Sequence, residues 1–438
     1  MKLLGDIVSL LTNINFMNKI EKNTLKQIIV DQHSQFSNEK VITRTALLEM
    51  KKFLPLPHVV IIAGISRCGK STLLQQIMID LKDKFYYFNF EDERLINFKT
   101  ENFNDLYEVL LELYGDKKIF FFDEIQNIPE WERFVRRLQD KKIKFFITGS
   151  NASLLSRELG TRLTGRYVDY TLYPFSFTEF LILKKIDFTK TDLLDTAKRS
   201  TIKSFFNEFF ISGGMPEYLI FGSEESLKKV YESIIYRDII TRYELKDEKA
   251  LRELCVYLFS NIAVPFSFTS IKKMLRLGSM NTVKSYIQYL ENSFLFFTVN
   301  KFNFSYRKQI LSPKKIYCID NALARSLGFS FSGNQGRMLE NTVFLELKRR
   351  GFDIFYYLSK NGKELDFVVK KENKLSLYQV CWSMENDSTK EREMEGVKTA
   401  MAELKISVGY ILTDNEEDEI DFDGGKIIIL PVYKWLLT

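Results

Sequence analysis

The segment from Gly64 to Ser71 reads GISRCGKS, a G-x-x-x-x-G-K-S pattern that follows the apolar run VVIIA and precedes a helical stretch. That order suits a polyphosphate. Small residues let successive backbone N–H groups turn around phosphate oxygens, and the following helix start adds its dipole. In this reading Gly64, Ile65, Ser66, Arg67, Cys68, Gly69, Lys70, Ser71 and Thr72 surround the phosphates. Lys70 bridges the β- and γ-phosphates, and Ser71 ligates magnesium. Further along, KIFFFDE ends an apolar strand in two carboxylates. Asp123 is expected to hold the magnesium ion through water, and Glu124 to polarise the attacking water. A third strand-like run, KFFITGS, ends in Thr148, Ser150 and Asn151, polar groups expected beside Glu124 as sensors of the γ-phosphate. Ser150 is therefore counted with the nucleotide-binding set. Arg162 and Arg166 fall between a helix and a strand, where a guanidinium can reach the γ-phosphate of a neighbouring subunit. Ordinary surface arginines are the alternative.

The elements that must position these groups follow from the hydrophobic pattern. VVIIAGI, FYYFNF, KIFFFDE, KFFITGS and YVDYTLY are short buried-strand runs, and STLLQQIMIDLKD and WERFVRRLQD are helix-like stretches between them. Such alternation predicts an α/β layer with a mainly parallel sheet. Before it, Leu3, Leu4, Ile7, Leu10, Leu11 and Ile14 have helical spacing, with turn chemistry near Ser37 and Asn38. After it, a long helical stretch runs from about Leu193 to Leu258, broken by the turn SGGMP.

Between Phe266 and Asp320 the pattern reads helix, turn at Gly278, second helix, then a hairpin. In the second helix Val283, Ile287 and Leu290 are predicted to face inward, leaving Asn281, Thr282, Lys284, Ser285 and Gln288 outward. Side chains of those types hydrogen-bond base edges and phosphates. The hairpin carries Lys301, Arg307, Lys308, Lys314 and Lys315, as the wing of a winged helix would. Two partners suit this segment: DNA, or another part of the same protein packed against it.

Composition bounds the rest. With 438 residues, 45% hydrophobic and 27% charged, the chain is long enough for two to four domains and too apolar to be largely disordered. Its 20 glycines and 8 prolines exclude collagenous and linker-rich architectures. Two histidines, His33 and His58, and four scattered cysteines without a CxxC pair argue against zinc fingers and Ser-His-Asp catalysis. Those cysteines fit a reduced interior, so a cytoplasmic location is expected. The Phe-rich runs are too short to cross a bilayer, and Asp6 interrupts the leader MKLLGDIVSLL, so no membrane partner is expected. Charge is segregated: Lys301 to Lys315 holds five basic residues and no acidic one, and Asp414 to Asp423 holds seven carboxylates. A pI near 8.8 allows a nucleic-acid partner without requiring one.

GISRCGKSTLL, FFFDEIQNIPEWERF, FFITGSNASLLSRELGTRLTGRY and YPFSFTEF together resemble the AAA-type ATPases of prokaryotes that carry a C-terminal nuclease-like domain. The resemblance spans nearly the whole chain. It implies an α/β fold made of an AAA-like P-loop ATPase core, then a helical and winged-helix-like domain, then an α/β nuclease-like domain. The boundaries it suggests are a helical segment over 1–35 and domains over 36–188, 189–332 and 333–438. It also implies ATP binding and hydrolysis; magnesium comes from the reading of Ser71 and Asp123, and a homo-oligomer from an arginine acting in trans. Where the family's loop commonly has arginine, this chain has Ser66, leaving Arg67 as the loop's one arginine.

GRMLENTVFLELKRRG, KELDFVVKK and LSLYQVCWS resemble the helix and two strands of the PD-(D/E)XK nuclease core. Glu340, Asp366 and Gln379 match three of its roles, and Cys381 stands where its lysine belongs. A thiol cannot replace an ammonium facing a developing phosphorane charge unless Lys390 or Arg392 swings in, so a degenerate nuclease site is expected. The other expectations to weigh are an ATP-regulated DNA nuclease and a nucleotide switch or scaffold that does not hydrolyse.

Overall fold

Five short apolar runs build the first sheet. Strands β1 (Val59–Ala63), β2 (Tyr86–Asn89), β3 (Ile119–Asp123), β4 (Lys144–Gly149) and β5 (Tyr167–Thr171) lie in the order β2-β3-β4-β1-β5, every pair parallel. The structure is a computed structural model that describes residues 20–34, 42–82, 84–155, 163, 165–329, 335–372 and 374–438. Helices α1 (Lys22–Ser34), α2 (Ala46–Lys52), α3 (Lys70–Ile79), α4 (Asn102–Tyr114) and α5 (Trp131–Gln139) accompany this sheet. A parallel sheet is covered on both faces, so its strands are apolar on both. Accordingly Phe120, Phe122 and Phe145 enter one core cluster, while Phe121 stacks on Phe146 with ring centroids 5.1 Å apart. Helix α5 buries Trp131, Phe134, Val135 and Leu138 and exposes Arg133, Arg136 and Arg137, the amphipathic pattern its sequence carries.

The chain divides into two compact units, one of residues up to Gly64 with Gly69–Leu172, the other of Ile65–Cys68 with Tyr173–Thr438. The second unit opens with helices α6 (Phe177–Leu183), α7 (Thr196–Ser212), α8 (Pro216–Phe221) and α9 (Glu224–Ser233), a π-helical stretch Ile234–Thr241, and α10 (Glu248–Ser260). The expected break at SGGMP separates α7 from α8, where Gly213 takes φ 65°. Ser176 and Glu179 form a capping box that starts α6.

Next come β6 (Pro265–Phe266), α11 (Phe268–Met274), α12 (Met280–Asn292), β7 (Phe296–Lys301), α13 (Tyr306–Leu311), β8 (Lys314–Cys318) and α14 (Asn321–Leu327). The remainder is α15 (Gln335–Arg349), β9 (Asp353–Leu358), β10 (Glu364–Lys371), β11 (Lys374–Val380), α16 (Asp387–Leu404), β12 (Val408–Thr413), β13 (Asp418–Phe422), β14 (Gly425–Pro431) and α17 (Val432–Leu436). All nine strands form one sheet, in the order β13-β14-β12-β11-β10-β9-β7-β8-β6. Strands β9, β10 and β11 are an antiparallel meander, and α16 crosses over to β12, parallel to β11.

The hairpin β7–β8 therefore does not stand alone. Asn300 and Lys301 pair with Phe355 and Tyr356 of β9, and the Phe302 N–H donates to the Tyr356 carbonyl at 2.7 Å. The boundaries near 188 and 332 both fall inside the second compact unit, which runs on from Tyr173. The helical spacing at Leu3 to Ile14 and the turn near Ser37 lie outside the described residues. Among the described residues no helix is long and apolar enough to cross a membrane.

Candidate functional site

The motif loop leaves the C-terminal end of β1, where the Gly64 N–H donates to the Gly149 carbonyl at the end of β4. Ligands of parallel α/β sheets bind at such strand ends. Gly69 caps α3 with φ 96°, a conformation that glycine tolerates best. A Cβ there would also meet Arg44 Nη1 at 2.9 Å. Lys70 is 4% exposed; its Nζ donates to the Gly64 carbonyl at 3.2 Å and lies 3.3 Å from Glu124 Oε1. The ammonium is thus folded over the loop and held by the carboxylate that the sequence proposes as the base.

Asp123 at the end of β3 is fully buried. Thr148 Oγ1 donates to its Oδ1, the Tyr87 hydroxyl donates to its Oδ2 at 3.2 Å, and the Ser71 side chain also hydrogen-bonds it. Burial, then the neighbouring Glu124, push its carboxyl above the usual range, against the pull of Thr148, Ser71 and Lys70. Thr148 also accepts from the Glu124 N–H at 3.1 Å, so one hydroxyl fixes both acids. Glu124 is left-handed at φ 52°, ψ 43°, which turns its side chain back toward Lys70. Such strain persists only where surrounding contacts over-determine it. Gln126 Nε2 supplies one such contact, donating to Glu124 Oε2 at 2.5 Å, and it reaches Ser150 Oγ at 3.3 Å. Asn151 instead accepts from the Ser153 N–H, a local cap.

The donor set fits the ligands that the sequence implies. A buried carboxylate with an adjacent hydroxyl, Asp123 and Ser71, is the hard-oxygen chemistry magnesium prefers. The Gly69 cradle at a helix start, with Lys70 beside it, suits phosphate. Sequence reasoning misses Tyr87, Gln126 and Arg44. Arg44 is 3% exposed beside Gly69, its backbone N–H fixed by Gln76 Oε1 of α3 at 3.0 Å. No spacing rule links it to the loop; only the fold brings it there.

The arginines separate. Arg162 lies outside the described residues. Arg166 precedes β5 at the end beside Val59, remote from the loop along the sheet; its half-exposed guanidinium pairs with Asp140 at 2.8 Å. Within the second unit, Arg237 of the π-helical stretch donates to Ser66 Oγ at 3.1 Å, and Arg67 pairs with Glu217 at 3.0 Å.

The helix-turn-helix has the expected faces. Val283, Ile287 and Leu290 of α12 are buried, along with Tyr286. Asn281, Lys284 and Gln288 are exposed, and Thr282 and Ser285 half-buried. The hairpin departs from the expected wing: a helix, α13, is inserted between its strands, and Phe304, Tyr306 and Leu311 are exposed at its tip. Arg307 and Lys308 are exposed, but Lys315 is not. It shares a face of β8 with Tyr317, both on Glu340 Oε1, and is 1% exposed.

Glu340 of α15, Asp366 of β10 and Gln379 of β11 do gather in the second unit, and the cation among them is Lys315. Its Nζ stands 2.9 Å from Glu340 Oε1, 2.7 Å from Glu364 Oε1 and 3.0 Å from Asp366 Oδ1. Burial, then the Asp366 charge, push the Glu340 carboxyl up to about 8, while Lys315 and the Tyr317 hydroxyl oppose the shift. Cys381 is buried, its thiol donating to the Ser383 carbonyl and pushed up to about 11 by burial. Arg392 does not swing in; it pairs with Glu393. Trp382 packs against Phe210, ring centroids 5.4 Å apart.

Residues 57–181 match the family described as AAA domain. Residues 203–335 and 335–435 match two domains of unknown function, DUF8612 and DUF4143. An uncharacterised protein of Methanocaldococcus jannaschii is 37% identical over 439 residues, 96% of each chain. An uncharacterised protein of Haemophilus influenzae is 29% identical over 408 residues, 89% of this chain and 97% of the relative. Among solved structures, a Walker-type ATPase of Pyrococcus abyssi aligns at 15% identity and TM-score 0.40, covering 67% of this chain and 97% of that one. The RuvB Holliday junction branch migration motor of Thermotoga maritima aligns at 18% and 0.31, covering 60% and 93%.

Proposed function

This chain belongs to the same family as its Methanocaldococcus jannaschii relative, and from the AAA domain it carries we propose that it binds Mg-ATP at the Gly64–Thr72 loop and hydrolyses it. The observation that carries this reading is the convergence of Lys70, Asp123 and Glu124 at one end of a parallel sheet. Lys70 leaves Glu124 and takes the β- and γ-phosphates. Glu124, released, accepts a proton from the water that attacks in line, while Thr148 and Gln126 hold its backbone and carboxylate. Ser71 and Asp123 hold magnesium, which neutralises phosphate charge when bound. Phosphate release with Mg-ATP, alongside calorimetric titration, tests the proposal; binding without release leaves a nucleotide switch.

Further partners are proposed on narrower grounds. Arg166, or Arg162, serves the ATP of a neighbouring copy; the distance of Arg166 from its own loop along the sheet supports a role in trans. Mixing Arg166→Ala with Lys70→Ala chains should then restore some hydrolysis, and a fully active monomer rules it out. The exposed Lys284, Arg307 and Lys308 support DNA as a partner of the helix-turn-helix. The order α15-β9-β10-β11-α16-β12 supports a nuclease-like fold for the last segment, and Cys381 in the lysine's place supports its degeneracy. Four buried cysteines, none in a disulfide, support a reducing, cytoplasmic setting.

A further inference from the structure

A nuclease-like core implies a divalent cation between Glu340 and Asp366. The residues around that point do not fit one. A magnesium ion binds carboxylate oxygens at about 2.0–2.1 Å and keeps several waters. An ion bridging Glu340 Oε1 and Asp366 Oδ1 would have to share both oxygens with the Lys315 ammonium, which lies 2.9 Å from the first and 3.0 Å from the second. Two cations in that space repel at low dielectric.

Other ligand positions nearby are also engaged. Glu340 Oε1 accepts from the Tyr317 hydroxyl at 2.6 Å as well as from Lys315. Asp366 Oδ2 accepts from the Val380 N–H at 3.0 Å. Gln379 presents neither end to the cluster: its carbonyl accepts from the Asp366 N–H at 3.1 Å, and its amide donates to Glu393 Oε2 at 2.7 Å. Among the described residues no group of three His, Cys, Asp or Glu is spaced to hold a metal ion. A lysine that stabilised a phosphorane would have to touch substrate, and Lys315 is 1% exposed.

We infer that Lys315 is the resident cation of this cluster, standing in for the divalent ion, so that the site takes no metal and cleaves no phosphodiester. Its role is a tie: the ammonium of β8 joins α15 through Glu340 and β10 through Glu364 and Asp366. Removing its buried ammonium leaves the Asp366 carboxylate, itself 6% exposed, without its counter-charge. The inference rests on the nuclease-like reading only for the identity of the ion replaced.

The test uses the full chain without nucleotide, titrated with Mn²⁺ alone and read by the EPR signal of the free ion. Lys315→Met keeps the side-chain length and removes the charge; it should gain a saturable Mn²⁺ equivalent that wild type lacks and that a further Asp366→Asn removes. Wild-type Mn²⁺ binding that Asp366→Asn abolishes overturns the inference, and the wild-type comparison stands even if Lys315→Met does not fold. A folded Lys315→Met that gains no ion also overturns it, leaving the nuclease-like fold untouched. Mn²⁺-dependent cleavage of DNA by wild type, lost in Asp366→Asn, overturns both the inference and the degenerate reading.

Discussion

Lys70, the first residue of α3, and Glu124, directly after β3, neutralise each other across 3.3 Å. Each therefore screens the other until a phosphate competes for the lysine.

Lys70→Ala should lose tight Mg-ATP binding, because the loop's cation over the phosphates is gone. Truncating one member of a buried charge pair costs about 2–5 kcal/mol. Calorimetric titration checks this; affinity within a few-fold of wild type would show that Lys70 does not meet the phosphates.

Glu124→Gln has two expected effects of opposite sense. It frees Lys70 from its ion pair, so ATP should bind at least as tightly as in wild type. It also removes the proposed base, so turnover should fall by about 10²–10⁴. Phosphate release and titration on the same preparation separate the two, and an undiminished rate would remove Glu124 from the chemistry.

Thr148→Val deletes the hydroxyl that fixes both acids. Asp123 then loses a buried hydrogen bond and the Glu124 N–H loses its acceptor, a cost of about 1–3 kcal/mol for each group left unpaired. Turnover should drop more than affinity, since the aim of Glu124 is disturbed while Lys70 is kept. Equal kcat and unchanged thermal midpoint would contradict this account.

The Glu340 carboxyl favours its neutral form in the folded state, with its titration moved from 4.5 to about 8. Between those values the folded chain holds a proton that the unfolded chain releases, so this contribution to stability is present at low pH and declines as pH rises toward about 8. Glu340→Gln carries no titrating group there. Its thermal midpoint should vary less across that window than that of wild type, and identical profiles would mean that Glu340 is ionised throughout.

Lys284→Ala, Arg307→Ala and Lys308→Ala together should weaken duplex DNA binding and flatten its salt dependence, by about 0.9 log unit of slope for each phosphate that is no longer neutralised. ATP hydrolysis without DNA should be spared. Fluorescence anisotropy decides: a wild-type chain that binds no duplex at low salt, with or without ATP, leaves protein packing as the role of this face.

The phosphate loop, the acidic strand end and the inward face of α12 are legible in sequence because each is local: a fixed spacing, an apolar run meeting carboxylates, a 3.6-residue period. Thr148 is legible for the same reason, at the end of its own strand. Arg44 and Tyr87 are not, since they reach the site from separate segments that only the folded chain brings near. Lys315 is misread in the sequence for a specific cause. Counting basic residues along the hairpin makes it one of five exposed cations, whereas β8 is buried on both faces there and sets it beside Tyr317 onto carboxylates that follow it in the chain. A tally of charge carries no information about which side of a strand the charge is on.

The parallel pairing of β7 with β9 also has a mechanical meaning. A hairpin on a flexible linker can swing freely, but one welded into a sheet transmits load. A pull at the tip, where Phe304 is 85% exposed, runs as shear along hydrogen bonds that must yield together. A displacement of that tip would reach β9 through the Asn300–Phe355 and Lys301–Tyr356 pairs, and β10 and β11 through the same sheet.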